Sequence, residues 1–342
     1  MTPPMTPRPT RPTSSQATFD ALQRRLAVAA AGLTLILGIA LWQFGGCALP
    51  AALAAQDGAP APLPAVAAPP AAALPAQEIQ VAATAEHPAY TLYTPEGPLV
   101  PRTALVVLHG MGSNGPSLAA RFLPSARAQD WVVVAPTVAY GDWRNPDQLV
   151  PEMLLQLPQL GRLLDAIPAE TGVPLQERVL LFGFSRGGQA ALRFTLLFPE
   201  RVHAVASLSA GTYTLPVRSV KTAAGTAMAA PLPYGVADVE QLMGRSVDQA
   251  GLAAVRFWIG VGARDNVDGD VPRQWDPFVG KNRVERAQRF ATTLAEMGCA
   301  TEVAVVTGAG HEITGPMVEQ AMQFLASASA LAQQQAAAAT IS

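Results

Sequence analysis

Short apolar runs alternate with longer stretches of helical spacing from about residue 86 onward, and this alternation constrains the fold more than any other feature of the sequence. The apolar runs are rich in β-forming residues and lie at 104–108, 131–135, 178–182, 204–208, 255–261 and 301–306. Strands that are buried on both faces have this nearly continuous apolar character. The stretches with helical spacing lie at 117–129, 147–167, 186–198, 282–297 and 316–333. The sequence therefore predicts an α/β fold, with a mostly parallel sheet that carries helices on both faces.

The first 44 residues have the pattern of a targeting or anchoring segment. Residues 1–25 are rich in Pro, Thr and Ser and end in Arg24-Arg25, and the run at 26–44 that follows is uncharged. Residues 1–25 are predicted to be a cytoplasmic tail or a signal n-region, and residues 26–44 a transmembrane anchor or a signal h-region. The long basic region favours the anchor. Both interpretations place the rest of the chain in the periplasm or the extracellular space.

Composition also separates the remaining segments. Residues 45–85 are Ala- and Pro-rich and are predicted to be a linker, residues 86–330 form the α/β domain, and residues 331–342 are an Ala- and Gln-rich tail. The two cysteines, Cys47 and Cys299, are too few for a disulfide scaffold or a multi-Cys zinc module. The net charge of −2 becomes more negative once the basic N-terminal region is set aside, which argues against a nucleic-acid partner.

The strongest functional signal is the string Gly183-Phe184-Ser185-Arg186-Gly187, which follows an apolar run and precedes a helical stretch. It matches G-x-S-x-G in the strand-then-helix context that this motif requires. In such a turn the serine hydroxyl stands above the sheet, and the flanking glycines allow neighbouring backbone to approach closely. The string predicts that Ser185 is a nucleophile. The alternative is an ordinary helix-capping serine in a glycine-rich connection.

A serine nucleophile needs a general base, and that base needs an acid to orient it. His311 lies in a glycine-flanked loop after the last predicted strand and is the predicted base. Asp265 follows the preceding predicted strand and is the predicted acid, which gives the chain order Ser, Asp, His. Asp268 and Asp270 lie in the same loop, and either could replace Asp265.

The predicted chemistry also needs backbone N–H groups that stabilise an oxyanion. One is expected from Arg186, the residue after the nucleophile, and the other from Met111, in the loop at 108–115 that follows an early strand. The side chain of Met111 is then expected to line the acyl pocket. His109 in the same loop is interpreted as a structural residue rather than a second base.

This loop also satisfies the G-x-G-x-x-G spacing of dinucleotide-binding sites, at residues 110–115. A dinucleotide site needs an acidic residue at the end of the next strand, where it binds the ribose. The next predicted strand ends in Ala135-Pro136-Thr137, which contains no carboxylate. The nucleotide interpretation is therefore disfavoured, and no cofactor or metal is predicted.

Taken together, several strings resemble the α/β-hydrolase superfamily, over roughly residues 88–330: LHGMGSNG at 108–115, GFSRGG at 183–188, GARD at 262–265 and GAGHE at 308–312. Within the superfamily the chain is similar to carboxylesterase, dienelactone-hydrolase and polyhydroxyalkanoate-depolymerase-like esterases. The resemblance implies that residues 86–330 are an α/β-hydrolase catalytic domain without cofactor or metal. It implies these roles: Ser185 nucleophile, Asp265 acid, His311 base, and the amides of Met111 and Arg186 as oxyanion hole.

These observations predict a serine hydrolase that cleaves a small-molecule or polymeric carboxylic ester through an acyl-enzyme. A serine peptidase similar to the prolyl oligopeptidases is one alternative, because the same triad cleaves peptides. A membrane-tethered binding domain without turnover is another. Residues 214–250 are Ala-, Pro- and Gly-rich without clear periodicity and are either a lid over the pocket or a long surface excursion. The sequence leaves the oligomeric state open.

Overall fold

The apolar runs form the centre of an eight-stranded sheet in a computed structural model that describes residues 73–341. In chain order the strands of this sheet are β1 Gln77–Val81, β2 Tyr90–Thr94, β3 Ala104–Leu108, β4 Val132–Pro136, β5 Val179–Phe184, β6 Val202–Leu208, β7 Arg256–Gly262 and β8 Ala300–Val306. Their spatial order is β8-β7-β6-β5-β3-β4-β2-β1. All neighbours from β8 to β4 pair in parallel, whereas β2 pairs antiparallel with both β4 and β1.

Helices connect the parallel strands. They are α1 Gly115–Ala119, α2 Leu123–Ala128, α3 Pro146–Thr171, α4 Arg186–Leu197, α5 Val239–Met243, α6 Gln249–Ala253, α7 Asp276–Val279, α8 Arg283–Glu296 and α9 Gly315–Ile341. Short 3₁₀ turns lie at Pro199–Arg201 and Asp268–Asp270. Two small antiparallel pairs stand apart from the main sheet: Ala73–Leu74 with Gly97–Pro98, and Ser219–Lys221 with Ala227–Ala229.

The central strands are apolar along their whole length because both faces of the sheet are covered. Val106 and Leu108 of β3 pack in one core layer with residues of α3, α4 and α8. Leu105 and Val107 pack in the opposite layer with residues of α1 and α9. Since successive side chains of a strand point to opposite faces, each layer receives every second residue. The predicted α/β class, with a mostly parallel sheet between helices, is confirmed.

The sheet begins earlier in the chain than the sequence predicts. Gln77–Val81 pairs with β2, although the predicted linker extended to residue 85. This strand lies at the edge of the sheet and alternates half-buried with exposed residues, so it lacks the continuous apolar run of a central strand. At the other end, α9 continues to Ile341 through the predicted tail at 331–342. The tail is rich in Ala and Gln, both good helix formers.

One predicted helix is divided in the structure. The stretch at 117–129 forms α1 and α2 instead of one continuous helix. Pro124 lies in the first turn of α2, where its missing N–H is harmless. In the middle of a single helix the same proline would remove a backbone hydrogen bond, and this explains why a new helix begins here.

The irregular segment at 214–250 packs against the domain. Leu215, Tyr234 and Val239 are buried in the same core layer as α3, α4 and α8. The predicted N-terminal segments at 1–25 and 26–44, and most of the predicted linker, lie outside the described residues. Between residues 73 and 341, no helix is both long and apolar enough to cross a bilayer.

Candidate active site

Ser185 occupies a strained turn between β5 and α4. Its backbone angles are φ 52° and ψ −114°, a region that non-glycine residues rarely adopt. The turn is tight because glycines flank it: a Cβ at Gly183 would collide with the carbonyl of Gly187, and a Cβ at Gly187 would collide with the carbonyl of Leu108. This geometry presents the half-buried Ser185 side chain at the carboxyl edge of the sheet.

Three side chains that are far apart in the chain meet at this edge. The Nε2 atom of His311 lies 3.1 Å from the Oγ atom of Ser185. The Nδ1 atom of the same ring lies 2.8 Å from Oδ2 of Asp265. Asp265 follows β7 and His311 follows β8, so the two loops come from neighbouring strands. The structure thus brings together the predicted nucleophile, acid and base.

The contact with Asp265 defines the tautomer of the imidazole. A carboxylate accepts hydrogen bonds, so a neutral His311 ring carries its proton on Nδ1 and turns the Nε2 lone pair towards the serine hydroxyl. The ring also stacks on Phe184, with centroids 5.1 Å apart. Ring orientation and proton position therefore both suit removal of the Ser185 proton.

Asp265 is 3% exposed, and burial alone would raise the pKa of its carboxyl group. Hydrogen bonding to His311 and the positive charge of Arg283 outweigh burial and hold this pKa below its ordinary value. Arg283 donates from Nη1 to the second carboxylate oxygen, Oδ1, over 3.0 Å. Each carboxylate oxygen of Asp265 thus has its own partner.

The two further aspartates of this loop have other partners. Asp268 accepts a hydrogen bond from Asn282 over 3.2 Å. The carboxylate of Asp270 lies 3.8 Å from Arg283, and its backbone carbonyl accepts from the same guanidinium over 2.9 Å. Of the three aspartates, Asp265 is the one that contacts His311. Asp268 and Asp270 instead attach the long loop to the first turn of α8.

No pattern in the sequence indicates the role of Arg283. Asn282 caps α8 by accepting from the backbone N–H of Glu285, and Glu285 reaches back to the N–H of Lys281. An Asn followed three residues later by Glu is a recognisable helix start. That pattern predicts where the helix begins. It does not predict that the first side chain of the helix, Arg283, turns back to the acid loop.

The two predicted oxyanion donors lie in one cavity with Ser185 and His311. This cavity measures about 280 Å³. Its wall includes Met111, Trp143, Phe184, Ser185, Arg186, Gln189, Gly211, Thr212, Asp270, Pro272, Arg283 and His311. Arg186 begins α4, where backbone N–H groups have no partner within the helix. Within residues 73–341, neither the Arg186 N–H nor the Met111 N–H donates to a protein acceptor. Residues 214–250, predicted to be either a lid over the pocket or a surface excursion, contribute no residue to this wall.

His109 holds the loop of Met111 in place. The ring is 1% exposed, and its Nδ1 atom lies 2.7 Å from the Gly110 carbonyl while Nε2 accepts from the N–H of Val138 over 3.0 Å. Since an N–H can only donate, Nε2 must be the unprotonated nitrogen. Burial lowers the pKa of His109, in agreement with a neutral ring. This is the structural role that the sequence predicts for His109.

The side chain of Arg186 connects the turn at residues 183–187, which we call the elbow, to another wall of the cavity. It forms an ion pair with Glu152 of α3, and both side chains are largely buried. Glu152 also accepts from the N–H of Gly141 over 2.7 Å, and Gln156 donates to the Ala139 carbonyl over 2.7 Å. These bonds hold the loop that carries Trp143 into the cavity.

No family model matches the sequence, and no curated protein matches it either. Solved structures do match. Poly(aspartic acid) hydrolase-1 from Sphingomonas sp. KT-1 superposes with a TM-score of 0.55 at 21% identity, over 73% of this chain and 98% of that one. LpqC, a poly(3-hydroxybutyrate) depolymerase from Bordetella parapertussis, superposes with a TM-score of 0.50 at 24% identity, over 70% and 82%.

The chain has the α/β-hydrolase fold. The similarity to this fold that the sequence strings indicated is thereby confirmed. Ser185 lies directly after a central strand of this fold, in the turn between β5 and α4. At these identities the likeness establishes the architecture and leaves the reaction to be argued from the site.

Proposed function

We propose that the protein is a serine hydrolase that cleaves carboxylic esters through an acyl-enzyme, with Ser185 as nucleophile, His311 as base and Asp265 as acid. The observation that carries this proposal is the continuous contact from Asp265 through the His311 ring to the Ser185 hydroxyl, 2.8 Å and 3.1 Å long. Both distances lie in the range in which a proton can transfer between the groups. The strained elbow and its glycines support the same assignment.

In the first half of the reaction, His311 takes the proton of Ser185 as the hydroxyl oxygen attacks the ester carbonyl. The new imidazolium is stabilised by the buried carboxylate of Asp265, which keeps its own negative charge. The backbone N–H groups of Met111 and Arg186 stabilise the oxyanion of the tetrahedral intermediate, and such donors typically contribute about 3–4 kcal/mol to the transition state. His311 then protonates the leaving alcohol.

In the second half, water replaces the alcohol. His311 removes a proton from this water as the water oxygen attacks the acyl-serine carbonyl. When the second intermediate collapses, the C–O bond to Ser185 breaks, His311 returns the proton to the serine oxygen, and the carboxylic acid is released. Apart from the substrate and this water, the proposed steps use side chains and backbone groups of the protein. The name of one structural neighbour, a poly(3-hydroxybutyrate) depolymerase, is compatible with a polymeric ester as substrate. Poly(aspartic acid), the polymer named for the other neighbour, is joined by amide bonds.

A fluorophosphonate probe tests the nucleophile. We expect the wild-type protein to be labelled and the Ser185→Ala variant to remain unlabelled, since the probe reacts with activated serines. Ser327→Ala, an exposed serine on α9, is the matched control and should be labelled like the wild type. Equal labelling of the wild type and Ser185→Ala would remove Ser185 from the mechanism.

Turnover of p-nitrophenyl esters tests the bond class. We expect hydrolysis of short acyl esters, because the cavity of about 280 Å³ accommodates a small acyl group. Ser185→Ala and His311→Ala should each lose turnover by a factor of about 10³ or more. A wild-type protein that accepts the probe but hydrolyses no ester of any chain length would exclude ester hydrolysis.

A further inference from the structure

Gln189 lies on α4, one turn beyond the elbow. It forms part of the cavity wall, although only 5% of the residue is exposed. Its Oε1 atom accepts hydrogen bonds from Nη1 of Arg186 and Nη1 of Arg193, each over 3.3 Å. A guanidinium can only donate, so the amide oxygen must be on this side. The amide nitrogen Nε2 therefore points the other way, and no acceptor among residues 73–341 contacts it.

Arg283 contributes a second donor to the same wall. Its Nη1 and Nη2 atoms are engaged by Asp265 and by the Asp270 carbonyl, as described above. Its Nε atom is buried and has no protein partner within the described part of the chain. A buried donor without an acceptor costs about 1–3 kcal/mol, so native proteins leave few of them.

Gly211, in the loop after β6, lies next to both of these nitrogens. A Cβ atom at this position would lie 3.4 Å from Nε2 of Gln189 and 3.6 Å from Nε of Arg283. Both unpaired donors therefore lie within van der Waals distance of the position that a side chain at residue 211 would occupy. Gln189, Gly211 and Arg283 all belong to the wall that also contains Ser185.

We propose that Gln189 and Arg283 form a subsite for a neutral carbonyl oxygen of the substrate, additional to the carbonyl of the ester that is cleaved. The inference rests on the proposed ester hydrolysis and narrows its substrates to esters with a second carbonyl in the acyl or the alcohol part. A carbonyl oxygen has two lone pairs and can accept two hydrogen bonds.

Charge favours a neutral oxygen over a carboxylate. Arg283 already faces the carboxylates of Asp265 at 3.0 Å and Asp270 at 3.8 Å. The ion pair with Glu152 balances the other guanidinium of the wall, Arg186. A substrate carboxylate would meet two negative charges with one guanidinium between them. A ketone or ester carbonyl gains the hydrogen bonds without this repulsion.

Matched substrates test the subsite in the full-length wild-type protein. The acyl series compares p-nitrophenyl pentanoate and hexanoate with 4-oxopentanoate, 5-oxohexanoate and hydrogen glutarate. The alcohol series compares butyl and 3-oxobutyl butanoate. Each kcat/KM is divided by the rate of hydroxide-catalysed hydrolysis, so that intrinsic reactivity cancels. We expect a preference of about tenfold for a ketone over its alkyl analogue in one of the series.

Gly211→Ala tests the location. The added Cβ makes ordinary contacts, the nearest being 3.4 Å, and the backbone at residue 211 is not in the left-handed region. The methyl group covers both donors, so the ketone preference should fall to about one to twofold. The matched control is Gly161→Ala on α3, whose Cβ would lie 3.9 Å from the Phe194 ring, and it should keep the wild-type preference.

The outcomes separate the two proposals. Absence of both fluorophosphonate labelling and ester turnover in the wild type contradicts the proposed function. Normal turnover with equal corrected rates for ketone and alkyl substrates in both series overturns the subsite, and so does a preference for the glutarate over the ketones. An unchanged ketone preference in folded Gly211→Ala also overturns it. If this variant does not fold, the wild-type ratios still decide the question.

Discussion

At the scale of single residues, the site depends on more than the proposed catalytic groups. It also depends on neighbouring charges and hydrogen bonds that hold those groups in position. Asp265 lies in a loop that is longer than a direct connection requires, with three aspartates. Arg283 organises this loop because one guanidinium binds Asp265 and Asp270 together. We therefore expect Arg283 to influence both the geometry and the protonation of the acid.

Arg283→Gln removes this positive charge. The pKa of Asp265 should rise, because burial then acts on the carboxyl group without the opposing cation. Protonated Asp265 no longer orients His311, so the activity should begin to fall at a higher pH than in the wild type as the solution is acidified. The pH profile of kcat/KM measures this shift.

Arg289→Gln is the control for this experiment, since Arg289 lies on the same helix but is exposed. It should retain the wild-type pH profile. Partial restoration of the profile by Arg283→Lys would identify charge as the cause. An Arg283→Gln enzyme with reduced kcat but an unshifted profile would show that Arg283 acts through packing alone.

His109→Ala should impair the oxyanion loop. The substitution leaves the N–H of the half-buried Val138 without its acceptor and removes the contact of the ring with the Gly110 carbonyl in the loop that carries Met111. We expect kcat to fall by about tenfold or more and the free energy of unfolding to fall by about 1–3 kcal/mol. Steady-state kinetics and urea denaturation measure the two effects.

Labelling by the fluorophosphonate probe is the control for the His109→Ala experiment. The Ser185, His311 and Asp265 contacts do not involve His109, so slow labelling by the fluorophosphonate should persist. A His109→Ala protein with wild-type kcat would contradict a positioning role for this ring.

At the scale of elements, the sequence predicts the strands whose residues form a continuous apolar run. The six strands from β3 to β8 are each found within a few residues of an apolar run, because burial on both faces demands such runs. The edge strand β1 is not predicted, because it alternates half-buried with exposed residues and resembles a loop. The inner strand β2 is not predicted either, because threonines interrupt its apolar residues. The elbow was predictable because steric demands fix its glycines. The contacts of Arg283 and Gln189 were not, because they depend on how separate elements pack.

His87 connects the segment before β2 to α3 through a pH-sensitive contact. Its Nε2 atom lies 2.9 Å from Glu170, and its Nδ1 atom lies 3.0 Å from the Pro88 carbonyl. Both partners are acceptors, so the ring satisfies both only when it is protonated. Burial lowers the pKa of His87, but these hydrogen bonds and the charge of Glu170 outweigh it and the net pKa is raised.

A raised pKa means that the protonated ring stabilises the fold below the ordinary histidine pKa of about 6.5, and that this stabilisation disappears as the pH rises through the folded-state value. The difference in Tm between the wild type and His87→Gln should therefore be larger at pH 5.5 than at pH 9. His203, whose pKa is lowered by burial, provides a control of opposite sign. The wild type should lose stability relative to His203→Gln at the lower pH. Equal Tm differences for His87→Gln at both pH values would contradict the protonated contact.

At the scale of the whole molecule, the described domain is one of two parts of the chain. The described residues, 73–341, belong to one compact unit, which contains the sheet, the cavity and the proposed catalytic groups. Residues 1–25 are basic and residues 26–44 uncharged and apolar, and we propose that they anchor the chain with the catalytic domain outside the cytoplasmic membrane. The domain would then meet substrates of the periplasm or the exterior.

Expression of the full chain in a bacterial host tests this topology. We expect the protein to remain with the membrane fraction after a carbonate wash, and the domain to be digested when protease is added to spheroplasts, since the arginines before residue 26 favour retention of the N-terminus in the cytoplasm. A chain that starts at residue 68 lacks the apolar run and should stay in the soluble cytoplasmic fraction, protected from protease.

Amino-terminal sequencing distinguishes an intact anchor from a cleaved signal peptide, which would release the domain from the membrane. A full-length chain in the cytoplasmic fraction would contradict export by either route, because the apolar run would then have directed neither insertion nor secretion.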